Sequence, residues 1–364
     1  MIPVGLKKRR PIASLLQSEG SRRAIGPGPL LAVLIVLFVV LLIANLGIGA
    51  VRIAPVDVVA ILFARLGLDL GVEFPSQHDA VLWNIRLPRV LLGILTGAAL
   101  AVAGASLQGV FRNPLADPGV IGVSSGAALG AVIAIVSGFT LLGNFGLPIA
   151  AFIGGLIATA VVYVTARNYG KTDVVTLVLA GVAVNATAGA VTGFFTFVAD
   201  DDQLRSIVFW TLGSLGGATW EVVRTVTPLM LLGILILPLY GRSLNLMTLG
   251  DNEAAHLGVS TEKVRLSVIA LAALITGASV AVAGIVGFVG LVVPHIIRLT
   301  AGPDHRLLIP ASAAAGAVAL LASDLLARNI AIPTEVPLGV VTAIVGGPFF
   351  LWLVHATRRS ARGW

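Results

Sequence analysis

Residues 86–132 read RLPRVLLGILTGAALAVAGASLQGVFRNPLADPGVIGVSSGAALGAV, and their reading decides the fold. Two arginines, Arg86 and Arg89, flank a proline. About twenty residues without a charge follow, enough for a helix to cross a bilayer. The run breaks at Arg112-Asn113-Pro114, and a second apolar run starts after Pro118-Gly119. Gly93, Gly97, Ala101, Gly104 and Ala105 lie near helical spacing, which lets another helix approach closely. A generic membrane hairpin would share these properties. The specific loop sequence and an echo of the stretch later in the chain argue for more.

Of 364 residues, 57% are hydrophobic and 11% charged, with mean hydropathy +1.01. A soluble chain would carry roughly a quarter charged residues. The fold class is therefore an all-α polytopic membrane protein. Alternating ten-residue strands are missing, which argues against an outer-membrane barrel. With no cysteine, the chain has no disulfide, thiolate metal site or cysteine nucleophile.

Ten spans are expected, at about 29–50, 86–110, 119–138, 147–167, 174–198, 221–240, 264–284, 287–301, 306–328 and 337–357. Residues 1–28 read as a basic tail, 51–85 as a mixed segment, 358–364 as a second tail and 29–357 as a single transmembrane domain. The acidic run 200–202 is followed by FWTLGSLGGATW, read as a short helix and a glycine-rich turn. Ten crossings put both termini on one side. Seventeen of the 24 Lys/Arg fall on that side, so both termini are expected in the cytoplasm and the net charge of +7 needs no nucleic acid. Arg52, Arg65, Arg86, Arg89, Arg205, Arg224 and Arg328 fall outside.

Residues 95–104, LTGAALAVAG, match 275–284, ITGASVAVAG, at seven of ten positions. The matched spans are second and seventh, so they run in opposite directions. An inverted repeat of spans 2–5 and 7–10 is expected, as transporters build a path at such an interface.

Little here suggests covalent chemistry. Gly170-Lys171-Thr172 resembles the end of a phosphate-binding loop, but Thr165 stands where its first glycine belongs and a membrane helix precedes it. The five histidines are scattered and read as loop or helix-end residues; no metal site is expected. Asp324 is the one acid well inside a span, and Arg328 one turn on suits a local ion pair. A proton-coupled carrier would show more intramembrane charge. A membrane enzyme would need a catalytic constellation. Asn185, Gly189, Thr192 and Thr196 share one face of the fifth span, either lining a path or bonding helix to helix. In the insert 241–263, Asp251 is a good helix N-cap and Gly258 a good stop. They define a short cytoplasmic helix that a partner could dock, within a segment 247–260.

These residues carry a family resemblance. IRLPRVLLGILTGAALAVAGASLQGVFRNPLADPGVIGVSSGAALGA, LVLAGVAVNA, FWTLGSLGGATW, LGDNEAAHLGV, AVAGIVGFVGLVVPHIIRL, DHRLLIPASA and EVPLGVVTAIVGGPFFLWLV resemble the FecCD-type permeases. These are membrane subunits of bacterial importers for iron–siderophore, haem and cobalamin. The resemblance implies ten helices in the cytoplasmic (inner) membrane and a second permease subunit, identical or related. It also implies two cytoplasmic ATP-binding subunits and an extracytoplasmic binding protein. ATP would bind those partners, and no cofactor would be bound by this chain. It places the ATPase-coupling segment at Leu249, Gly250, Asp251, Glu253, Ala254, Ala255, Leu257 and Gly258. Binding-protein docking falls on Arg86, Arg89 and Arg328. Asn113, Leu115 and Thr172 become gate candidates beside the path candidates Asn185, Thr192 and Thr196. The expected cargo is a ferric siderophore, with haem and cobalamin behind it.

Overall fold

The structure is a computed structural model and describes residues 26–139 and 142–361. The tail expected over 1–28 lies outside it except for its last three residues, and so do the last three residues of the tail expected over 358–364.

Fifteen α-helices occur among the described residues. They begin with α1 (Pro27–Gly47), α2 (Pro55–Arg65) and α3 (Ser76–Val81). A π turn, Leu82–Arg86, joins α3 to α4 (Leu87–Phe111). Then come α5 (Val123–Val136), α6 (Gly146–Thr165), α7 (Val174–Val198), α8 (Asp201–Leu212) and α9 (Trp220–Ile236). Two short helices, α10 (Gly241–Met247) and α11 (Asp251–His256), lead to α12 (Thr261–Ala283), α13 (Val289–Ala301), α14 (His305–Asn329) and α15 (Leu338–Ala361). Seven helical runs are long and apolar enough to cross a membrane, and three shorter apolar helices complete the expected ten: α5, α13 and the Leu338–Trp352 part of α15. In lipid each backbone N–H must find a carbonyl within its own segment, so apolar runs become helices whatever their propensity.

The chain folds around α4, whose residues are nearly all buried. It packs on α14, α12, α13 and α9. Close approach needs glycine: a Cβ on Gly97 would lie 2.2 Å from the Gly316 carbonyl oxygen, and one on Gly104 would lie 1.8 Å from that of Gly290. The repeat appears in the packing. α4 lies on α14 and α12 lies on α6, so exchanging the two halves maps one pair onto the other. The halves differ where the matched segments end. Gly104 is mid-helix, whereas Gly284, at φ +70°, terminates α12.

The sixth membrane run, expected over 221–240, continues to Met247, and three other readings of local structure change. The second membrane helix begins at Ser76, ten residues early, because the π turn absorbs an extra residue without breaking the rod. The helix before the glycine-rich turn is a full α8, started by a capping box between Asp200 and Gln203. Gly250, at φ +136°, and not Asp251, caps α11; Asp251 occupies its first turn.

The link between α6 and α7 is a tight hairpin, Arg167–Asn168 paired with Lys171–Thr172. Tyr169 and Gly170 both take positive φ, the two-residue turn that matches strand twist. Gly170-Lys171-Thr172 is therefore hairpin, not a phosphate loop. Where the run from Ser76 meets α9, the Trp220 indole donates to the Trp83 carbonyl at 2.9 Å, and Arg65 sits over the Trp83 ring. Such aromatic residues suit the membrane–water interface.

Candidate transport site

The loop after α4 is shaped by its own side chains. Arg112 closes the helix in the left-handed region, at φ +49°. The Asn113 side chain accepts from the Leu115 N–H at 2.9 Å, and Asp117 accepts from the Gly119 N–H at 2.8 Å and starts a 3₁₀ turn. These are local Asx turns, which explain why the loop sequence is so particular. Leu115 is left exposed. Burial raises the Asp117 carboxyl above its ordinary range, against the bond from Gly119.

Asn185 on α7 donates to the Gly119 carbonyl at 3.1 Å and accepts from Ser125. It thus bonds α7 to the loop before α5. Beside it opens a recess of about 410 Å³, lined by Asp117, Ser124, Ser125, Val178 and Val182 among others. Thr196 bonds back to the Thr192 carbonyl at 2.8 Å, further along α7 and away from the loop. The path candidates therefore do not form one cluster.

The candidate coupling segment is fixed to the bundle through α11 and exposed on either side of it. Ala254 is fully buried and anchors α11, while Leu249 and Leu257 are 63% and 58% exposed. The Glu253 carboxylate folds back over Gly250, where a Cβ would clash with it. Gly258, at φ +85°, ends the turn. Asp251 is held by two arginines: Arg112 from the loop after α4, and Arg265 from the second turn of α12, at 2.8 Å. Thr172 joins the same group, its hydroxyl donating to Glu262 at 2.9 Å. Sequence reading missed Arg112, Glu262 and Arg265, because the pairing joins segments far apart in the chain.

At the other end the three docking candidates meet, but they are not free. Arg89 donates to Asp324 at 2.9 Å and to Glu335 at 2.8 Å. Arg328 makes the expected ion pair with Asp324, at 3.1 Å, and donates to Asn45 Oδ1 at 2.7 Å. Arg86 donates to the carbonyls of Leu46 and Val51. All three guanidiniums are held inside the protein, while Arg52, Arg205 and Arg224 are exposed. Of the histidines expected at loops or helix ends, His256 ends α11 and His305 starts α14, where its Nδ1 lies 2.8 Å from Asn245 Oδ1; His295 departs from expectation, buried within α13.

A bundle of ten apolar helices with a short helix, α11, tied to it through Asp251 and Arg265 is the build of a multi-pass membrane protein. The sequence profile of the FecCD transport family matches residues 36–356, and the chain belongs to that family. It is 42% identical over 344 residues to the hemin transport system permease protein of Yersinia pestis, covering 93% of this chain and 98% of that one. It is 45% identical over 288 residues to the cobalamin import system permease protein of Halobacterium salinarum, covering 79% and 76%. The iron(3+)-hydroxamate import system permease protein of Bacillus subtilis is 35% identical over 89% of this chain and 96% of its own length. A solved structure described as an inward-facing conformation of a metal-chelate type ABC transporter superposes with TM-score 0.79 at 32% identity, covering 91% of this chain and 99% of that one.

Proposed function

We propose that this chain is the permease subunit of an ATP-driven importer in a bacterial cytoplasmic membrane and that its cargo is a ferric siderophore. The observation that carries the reading is α11, anchored through Ala254 yet presenting Leu249 and Leu257 to the aqueous side. Exposed leucines flanking a short, fixed helix on both sides suit insertion into a groove of a partner. Two ATP-binding subunits would take these helices from a pair of permease subunits. ATP binds those partners, and the permease needs no cofactor, because its cargo arrives already chelated. Haem is the second reading, supported by the length-matched hemin relative.

The cycle is alternating access. A loaded binding protein docks outside over Arg86, Arg89 and Arg328. Its carboxylates would compete with Glu335, the half-exposed partner of Arg89, so docking exchanges one ion pair for another. Such pairs govern approach and orientation more than affinity. Nucleotide binding then moves α11, and Asn113, Leu115 and Thr172 open or close the cytoplasmic end below Asn185, Thr192 and Thr196.

Uptake of labelled ferric siderophore into proteoliposomes tests this, with the chain, its cognate ATPase and binding protein reconstituted. Uptake is expected to need ATP and the binding protein and to fail in Glu253→Arg. Gradient-driven uptake by the chain alone, indifferent to ATP, would refute it in favour of a secondary carrier. Haem and cobalamin as competitors sort the cargo.

A further inference from the structure

Arg265 is 1% exposed. A buried guanidinium is tolerated only where acceptors surround it. Its acceptors come from three places. Asp251 Oδ2 of α11 lies 2.8 Å from Nη2, and Nη1 donates to Glu262 one turn back and to the Thr172 carbonyl at 3.2 Å. Glu262 in turn accepts from the Thr172 hydroxyl. The second oxygen of Asp251 takes Arg112, the residue before Asn113. The coupling helix, the loop after α4 and the hairpin before α7 are therefore tied through one ionic hub.

We infer that Arg265 is a positioning residue for transport, the gear that makes both gate segments follow α11. This rests on the proposed importer function. If α11 moved alone, Asp251 would leave Arg265 and strand a buried positive charge with part of its compensation gone. Moving as a unit keeps every acceptor in place. Displacement at α11 is thereby delivered to Leu115 through Arg112 and to the start of α7 through Thr172. An exposed linker between the same segments would let them slip.

Arg112→Gln and Glu262→Gln test the gear: both side chains are about a third exposed, and Arg112→Gln leaves the buried Arg265 with all its acceptors. In the reconstituted complex, both variants are expected to co-purify with the ATPase as the parent chain does. Cargo moved per ATP hydrolysed should fall about three- to thirty-fold, the usual span for loss of coupling between sites. Glu262→Asp should recover part of it. An unchanged cargo-to-ATP ratio, or loss of the ATPase from the complex, overturns the proposal. A second reading does not depend on transport. The chain has no cysteine, so spin labels on cysteines placed at exposed Leu115 and Tyr169 report the distance between the two gate segments. That distance distribution should broaden in Arg112→Gln. An unchanged distribution sinks the gear even where uptake is ATP-driven, whereas ATP-independent uptake with a broadened distribution counts only against the importer reading.

Discussion

Replacing Asp324 with asparagine should destabilise the fold by about 3 kcal/mol, the lower end of the cost of breaking a buried ion pair. The side chain is 2% exposed and faces two guanidiniums, Arg89 and Arg328, themselves 9% and 8% exposed. Asparagine keeps the shape but removes the charge and turns one acceptor into a donor aimed at another donor. The full range of about 3–5 kcal/mol does not apply, since each arginine keeps a second partner. Arg89 retains Glu335, and Arg328 retains Asn45 Oδ1 at 2.7 Å. Glu335 is 45% exposed, so water screens what it returns. Denaturant titration of the detergent-solubilised protein measures the loss. The double change Asp324→Asn with Arg328→Met should recover at least about 1 kcal/mol, as contacting residues are non-additive. A single-variant loss within about 0.5 kcal/mol of zero, the size of an ordinary surface change, would show that the cluster is not a buried ionic core. The same reasoning warns that a docking defect in Arg89→Ala needs a stability control before it is assigned to docking.

Gly104→Ala would drive a methyl to 1.8 Å from the Gly290 oxygen, where contacts under 3.0 Å do not occur. Helices α4 and α13 must separate, at about 3 kcal/mol or more, because a backbone oxygen cannot rotate away; thermal unfolding in detergent reads this. Leu257→Ala should leave permease stability within about 0.5 kcal/mol, since the side chain is mostly exposed, yet weaken ATPase association about tenfold or more in a pull-down titration. Asp304 caps α14, and its carboxyl is held well below the usual range by Arg306 and then by Asn245. A depressed acid adds stability above its unfolded value, about 3.9, and loses it as pH falls further. The stability gap between the parent chain and Asp304→Asn should therefore be constant from pH 8 to 5 and shrink below about pH 4.

The spans were legible because lipid leaves an apolar run no alternative to helix. The span expected over 174–198 is the helix Val174–Val198. The ion pair of Asp324 with Arg328 was legible too, one turn apart on one helix. What stayed hidden was pairing at a distance. Nothing near Arg265 announces that Asp251 and Thr172 will reach it, and nothing near Arg89 announces Glu335. His295 misled, because scattered spacing does not say which histidine sits inside a helix. Asp251 is a good cap by type, but the preceding glycine reached a backbone conformation no aspartate favours. The resemblance makes Asn113 a gate candidate, whereas its side chain closes the turn by accepting from the Leu115 N–H.

The burial of α4 has a consequence for how such a protein can be altered. A rod packed on every side has no face left for adaptation, so a change of cargo has to be written elsewhere. In α7 only Leu177, Ala180, Gly181 and Ala188 are buried, and most of the other residues are exposed or half-buried. Selecting variants for new cargo from a library spread over the whole chain should return hits on α7 and lethal changes on α4. The scaffold would then be inherited whole and the lining retailored around it.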